Sequence, residues 1–252
     1  MIALVRSELR RFRSRRLVKA LVVIALIGIA TTVVILAVRS HAGTSNAFGL
    51  VDARAFIEGT ASLFAIAGWL IGASLVGAEW QAGTMTTLLT WEPRRLRVLA
   101  VKTLAAAIGV FVMVLLLDFL FTGLMALVAA TRGTTEGTDA SLERSLVALD
   151  LRVAALSTFG AVLGLALATV TRNTGAALGI SFVYLAIVEG IIRGLRPGWT
   201  AWLLGDNGSI FLIGRDNPEL GRSVWSAALV LVVWSAAFVS VATATFLARD
   251  VD

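Results

Sequence analysis

The sequence predicts an all-α integral membrane protein with six transmembrane helices, and three observations lead there. Hydrophobic residues make up 58% of the 252, and charged residues only 15%, where a soluble domain carries roughly 25% charged residues. Mean hydropathy is +0.89. The apolar residues fall in runs long enough to cross roughly 30 Å of hydrocarbon, and the basic residues gather at the ends of those runs. Residues 1–252 read as one transmembrane domain.

Ile2, Val5, Leu9 and Phe12 recur at helical spacing ahead of the first run, while Arg6, Arg10 and Arg13 occupy another face. Residues 1–17 are therefore expected to form an amphipathic helix in the membrane interface, held by apolar burial and anionic head groups. Uncharged spans follow at Ala20–Val38, Gly59–Ala78, Val153–Thr171 and Ser223–Ala248. Thr103–Thr131 contains Asp118, and Asn173–Ile192 contains Glu189. Each must be helical, because lipid leaves no partner for free backbone polar groups. The fourth and fifth spans are divided only by Thr171–Thr174. The triplet Ser40–His41–Ala42 resembles a signal-peptide cleavage site, but the run before it exceeds the roughly 7–15 apolar residues of a signal peptide.

Residues 193–222 hold two short apolar pieces, Trp199–Leu204 and Ser209–Ile213, separated by Gly205-Asp206-Asn207-Gly208. Neither can span. With Trp199 and Trp202 they predict a short helical hairpin dipping into the outer interface. Small residues four apart mark close helix contacts at Gly68 and Gly72, Gly160 and Gly164, Gly175 and Gly179, and Ala236, Ser240 and Ala244.

Orientation follows from Lys and Arg. The leading segment carries Arg6, Arg10, Arg11, Arg13, Arg15, Arg16 and Lys19, and the loop after the second span carries Arg94, Arg95, Arg97 and Lys102. The loop after the third span is rich in acids: Glu136, Asp139, Glu143 and Asp150. Positive-inside places both termini in the cytoplasm, as expected of a multi-pass protein of a bacterial inner membrane. A net charge of +6 would suit nucleic acid only on a solvated basic face, so no nucleic-acid partner is expected. Membrane lipid is.

Little chemistry is available. The chain has no cysteine and one histidine, His41, so converging metal or haem ligands and a Ser–His–acid set are not expected. Lys19 and Lys102 lack the glycines of a phosphate-binding loop, so no ATP hydrolysis and no resident cofactor are expected in this chain. A buried acid in lipid is costly, which singles out Asp118 as either a structural hydrogen-bonding residue or an ion site. Glu189 is placed to pair with Arg193 one turn on.

The most informative segment is residues 79–102, EWQAGTMTTLLTWEPRRLRVLAVK. Glu79 ends the second span, Gly83 and Thr84 precede an amphipathic run with Leu88 and Leu89, and Pro93 breaks it before Arg94 and Arg95. Thr84, Leu88 and Trp91 can share one helical face. This order resembles the loop of the type 2 ABC exporter permeases, with Glu92 departing from the small or apolar residue usual before the Pro. The resemblance implies that the loop is a coupling helix docking on a separate ABC ATPase, with ATP and Mg bound by two copies of that partner. It also implies a second six-span permease subunit, identical or related, completing the translocation path. Amphipathic molecules such as drugs, antibiotics or lipids are the implied cargo, with Phe64, Trp69 and Asp118 as path residues. Two other classes compete: a sensor or anchor subunit that transports nothing, and an ion-coupled transporter working through Asp118.

Overall fold

The computed structural model of the chain describes residues 2–41 and 47–248. Ala42, in the cleavage-like triplet, lies outside the described residues. Among the described residues, six helical spans are long and apolar enough to cross a membrane. Among the described residues there is no strand, only isolated bridges pairing Gly49 with Thr134 and Asn217 with Arg222.

Helix α1 (Ile2–Ser14) stops where Arg15 turns extended, and α2 (Arg16–Arg39) starts immediately after it. The second span is α3 (Ala53–Gln81), entered through a 3-10 turn at Leu50–Asp52 where the Asp52 carboxylate accepts from the Gly49 N–H. A short helix, α4 (Thr84–Trp91), leads to the longest helix, α5 (Arg95–Arg132). The fourth span, α6 (Ala140–Thr171), is capped by the Asp139 carboxylate, which accepts from the N–H groups of Ser141 and Leu142. The Leu142 N–H and then the Ser141 hydroxyl hold that carboxyl below the usual carboxylate range. The cap is complete at neutral pH and fades only as pH falls through the lowered value.

The thin divide between the fourth and fifth spans is real. Arg172 takes a left-handed conformation at φ 54°, and the Asn173 side chain caps α7 (Thr174–Val183) through the Ala176 N–H. The fifth span continues through a π turn at Tyr184–Val188 into α8 (Glu189–Leu195). After a 3-10 segment, Pro197–Trp202, come α9 (Leu204–Ile213) and the last span, α10 (Val224–Ala248).

Helices α3 and α6 form the centre. A Cβ on Gly160 would sit 2.8 Å from the Ala65 carbonyl oxygen, and one on Gly164 would sit 3.0 Å from the Ala73 nitrogen. From the other side, Gly68 and Gly72 meet the carbonyls of Ser157 and Ala161. Two glycine ridges, each four residues apart, thus bring the backbones into contact. Helix α5 packs beside this pair and buries Val110, Val114, Phe121 and Met125. Spans α2, α7–α8 and α10 lie outside, and most of their side chains face lipid.

Three expectations change. The Gly205–Gly208 segment is not a divider but the first turn of α9, because Asn207 Nδ2 donates to the Ala201 and Leu203 carbonyls and Glu189 accepts from the Gly205 N–H. Helix α6 begins well before Val153, so Asp150 is not in an outer loop but fully buried in the bundle. The small-residue ridges predicted on the outer spans meet no other helix of the chain: a Cβ on Gly175 would approach only Asn173 of its own helix cap. A Cβ on Gly179 would meet nothing within 4 Å, and Ala236, Ser240 and Ala244 are exposed.

Leucine at Gly72 or Gly164 should therefore wedge α3 from α6 and cost at least about 1–3 kcal/mol, the usual penalty of overpacking. Thermal unfolding in detergent should show a clear loss for both variants and none for Gly179→Leu.

Candidate functional site

The α3–α5 connection stands on a buried group of charges. Lys102 in α5 is only 3% exposed, and its ammonium lies 2.7 Å from Glu79 of α3 and 3.2 Å from Glu8 of α1. Arg15 closes the group, reaching Glu79 at 2.9 Å and the carbonyls of Ser74 and Leu75 at 2.8 and 3.0 Å. Glu8 also holds Arg11. Three helices meet here through two acids, the buried Lys102 and the half-buried Arg15, with Phe12 against Gly109 sealing the apolar side. Helix α1 is thus bound to the bundle through Glu8 and Phe12, while Arg6, Arg10 and Arg13 stay exposed on its outer side.

Helix α4 begins at Gly83, whose φ of +67° suits glycine and turns the chain sharply out of α3. Thr84 and Thr86 hydroxyls donate to the carbonyls of Glu79 and Gly83, stiffening that turn. Glu92 is extended ahead of Pro93, as a residue before proline prefers, and it pairs with Arg97 at 3.3 Å. Arg95 donates to the Phe246 and Leu247 carbonyls, tying the start of α5 to the end of α10. Arg94 is exposed.

The face that α4 presents differs from the sequence reading. Met85 is buried, and Leu88 and Leu89 are half-buried against the chain's own core. The outward face carries Thr84, Thr87 and Trp91, and Trp91 is 85% exposed. Leu88 leans inward from the line joining Thr84 and Trp91. Glu79 likewise turns inward, into the charge group. Sequence reasoning placed Trp91 on the loop's face without singling it out, although a lone Trp on a threonine-rich surface is the available signal.

The proposed path residues do not converge. Phe64 lines an apolar crevice of about 350 Å³ between α2, α3 and α5. Trp69 lines another of about 350 Å³, between α3, α6 and α9, with Glu58 at its rim. Asp118 lines neither and is fully buried. One turn along α5 from it, the Thr122 hydroxyl donates at 3.1 Å to the carboxylate of Asp150 in α6. At the opposite end of the bundle, Glu189 is fully enclosed, 3.1 Å from Arg193 as expected, and Arg193 also holds Asp206.

These features define a multi-pass membrane protein with a short helix displayed at one end of the bundle. Residues 4–188 match the family described as ABC-2 family transporter protein, and the chain belongs to that family. It is the membrane component of an ABC transporter, a system whose ATPase partner hydrolyses the nucleotide. The match ends with the π turn, ahead of α8–α10. Comparison with curated proteins gives no match.

Removing one partner of a buried ion pair costs about 3–5 kcal/mol because the other charge is left stranded. Lys102→Met should destabilise the chain on that scale. Combining it with Glu79→Gln should recover part of the loss, measured as detergent melting temperatures across a double-mutant cycle.

Proposed function

We propose that this chain is the permease subunit of an ATP-driven exporter, with α4 as the coupling helix on which a separate ABC ATPase docks. The observation that carries this reading is α4 itself: a rigid, outward helix with a bare Trp91, joined at both ends to spans of the central bundle. Its turn is permitted by Gly83 and stiffened by Thr84 and Thr86, and its far end by Pro93. Leu88 and Leu89 seat it on the bundle, and Arg94 and Arg95 flank it. Displacing α4 would move α3 and α5 together, because the Lys102–Glu79 pair links them. Rigid-body motion of this kind is a common means of transmitting a switch.

The α1 and α4 end carries Arg6, Arg10, Arg11, Arg13, Arg15, Arg16, Lys19, Arg94, Arg95, Arg97, Lys102 and Arg172. This is the positive-inside signature, so that end is read as cytoplasmic in a bacterial inner membrane. The outer spans expose long apolar faces, with Gly179 and the Ala236–Ser240–Ala244 ridge unfilled within the chain. A second six-span subunit is the natural occupant, and two ATPase subunits would then sit below the pair. The two apolar crevices suit an amphipathic cargo. Family membership favours ATP as the energy source over an ion gradient acting through Asp118.

Truncating a central aromatic anchor of an interface typically costs about 2 kcal/mol or more. Trp91→Ala should therefore weaken co-purification of the ATPase and lower transport-linked ATP hydrolysis, with melting temperature unchanged. Retained coupling in that variant would remove α4 from the docking role. Leu88→Asp should instead lower stability, since Leu88 packs on the chain's own core.

Topology is checked with single cysteines, which the cysteine-free chain accepts cleanly. Residues at Ser7 and Thr90 should react with a membrane-impermeant thiol reagent only after cells are broken, and residues at Glu136 and Glu219 in intact cells with a permeabilised outer barrier. Labelling of position 90 from outside would place α4 out of reach of ATP.

A further inference from the structure

The middle of the bundle holds a charge imbalance that the transport reading does not use. Asp118 of α5 and Asp150 of α6 are both fully buried, on two helices packed against each other. Thr122, one turn along α5 from Asp118, donates its hydroxyl to Asp150. Neither Asp118 oxygen has a hydrogen-bond partner. Two ionised carboxylates enclosed this way would repel each other in a medium that screens poorly, and each would lose its hydration without a compensating charge.

No neighbouring element supplies the missing positive charge. Helix α2 has no charged residue between Lys19 and Arg39, and α3 has none between Glu58 and Glu79. Helix α10 has none at all, and the other charges on α5 nearest Asp118 are Lys102 and Arg132, toward its two ends. Within α1, the charge facing α5 is Glu8, already committed to Lys102 and Arg11. On α6 the nearest charge is Arg152, but residues two apart on a helix do not share a face. Its guanidinium lies instead against Gly214. Glu143 and Arg144 lie in the first turns of α6, and Arg54 of α3 is bound to Glu58 and the Ile213 carbonyl.

We propose that Asp118 and Asp150 form an intramembrane proton-binding site, in which one carboxyl is kept as the neutral acid and donates to the other, with Thr122 as the second donor. The stranded oxygens of Asp118 then gain a partner, and the buried charge falls from two to one or none. A proton is the cation that fits, since among the described residues no third His, Cys, Asp or Glu converges with these two to complete a metal's ligand set. Releasing the proton to water would leave two like charges between α5 and α6, loosening the contact at high pH. The site stands on this geometry alone and does not depend on how, or with what, the chain couples.

The test is infrared spectroscopy of the full chain in lipid vesicles, in light and heavy water. At neutral pH the native chain should show a protonated-carboxyl carbonyl band that shifts in heavy water and disappears on raising pH, with melting temperature falling in step. Asp118→Asn, whose amide can still donate to Asp150, should lose the band and the alkaline drop in stability. Thr122→Val removes one donor to the ionised form, so its band should persist to higher pH than the native one. Glu189→Gln should leave the band in place. The proposal is overturned if the native chain has no such band, or if the band goes with Glu189 rather than Asp118. A Thr122→Val titration identical to native would overturn it too. So would loss of the band on adding sodium or potassium ions at fixed pH, which would assign the balancing charge to a metal cation.

Discussion

Contact between the backbones of α3 and α6 is the constraint on which the rest of this structure depends. In lipid, apolar side chains gain little by leaving one hydrocarbon surface for another, so helices associate where their surfaces fit closely. Gly68 and Gly72 on one helix and Gly160 and Gly164 on the other bring each backbone against the main chain of its partner. Once α3 and α6 are joined, α5 has a two-helix surface to pack on, and Val110, Val114, Phe121 and Met125 fill it. The remaining spans are laid around this centre and stay largely in lipid.

Charge does at the α4 end what glycine does in the middle. Lys102 could not be buried without Glu8 and Glu79, and Glu79 could not face inward without Arg15 and Lys102. Each ion is tolerable only because the others are present, so α1, α3 and α5 are mutually positioned before α4 leaves the bundle. A helix projecting from such a base keeps a defined angle, which a loop of similar length would not.

Much of this was readable in the chain. Runs of apolar residues are a direct record of bilayer thickness, and the six spans, the divide at Arg172 and the Glu189–Arg193 pair all follow from local spacing. The glycine ridges at Gly68, Gly72, Gly160 and Gly164 were legible as contacts, though not which helix each would meet. What sequence reasoning lost was inward orientation of polar residues. Asp150 looked like a loop acid because Arg152 follows it closely, whereas a helix sends those two side chains to different sides. The inward turn of Glu79 is hidden for another reason: its partner Lys102 is distant in sequence. For Leu88 and Leu89 the sequence leaves the direction open, because apolar residues on a short helix fit a partner or the chain's own core equally well, and packing shows them half-buried on the core. Asn207 and Gly205 read as a turn because nothing local reveals the Glu189 carboxylate that caps α9 over them.

The glycine seam also predicts how unevenly this chain should tolerate change over evolutionary time. Along α2, with only Val18 and Ile29 buried, one apolar side chain dissolves in acyl chains about as well as another. Neutral drift should run fast there. At Gly68, Gly72, Gly160 and Gly164 a hydrogen atom is all the space admits, and an added methyl on one helix cannot be offset by trimming the other, since the obstacle is main chain. Descendants of this sequence should diverge at their lipid-facing surface while those four positions stay frozen.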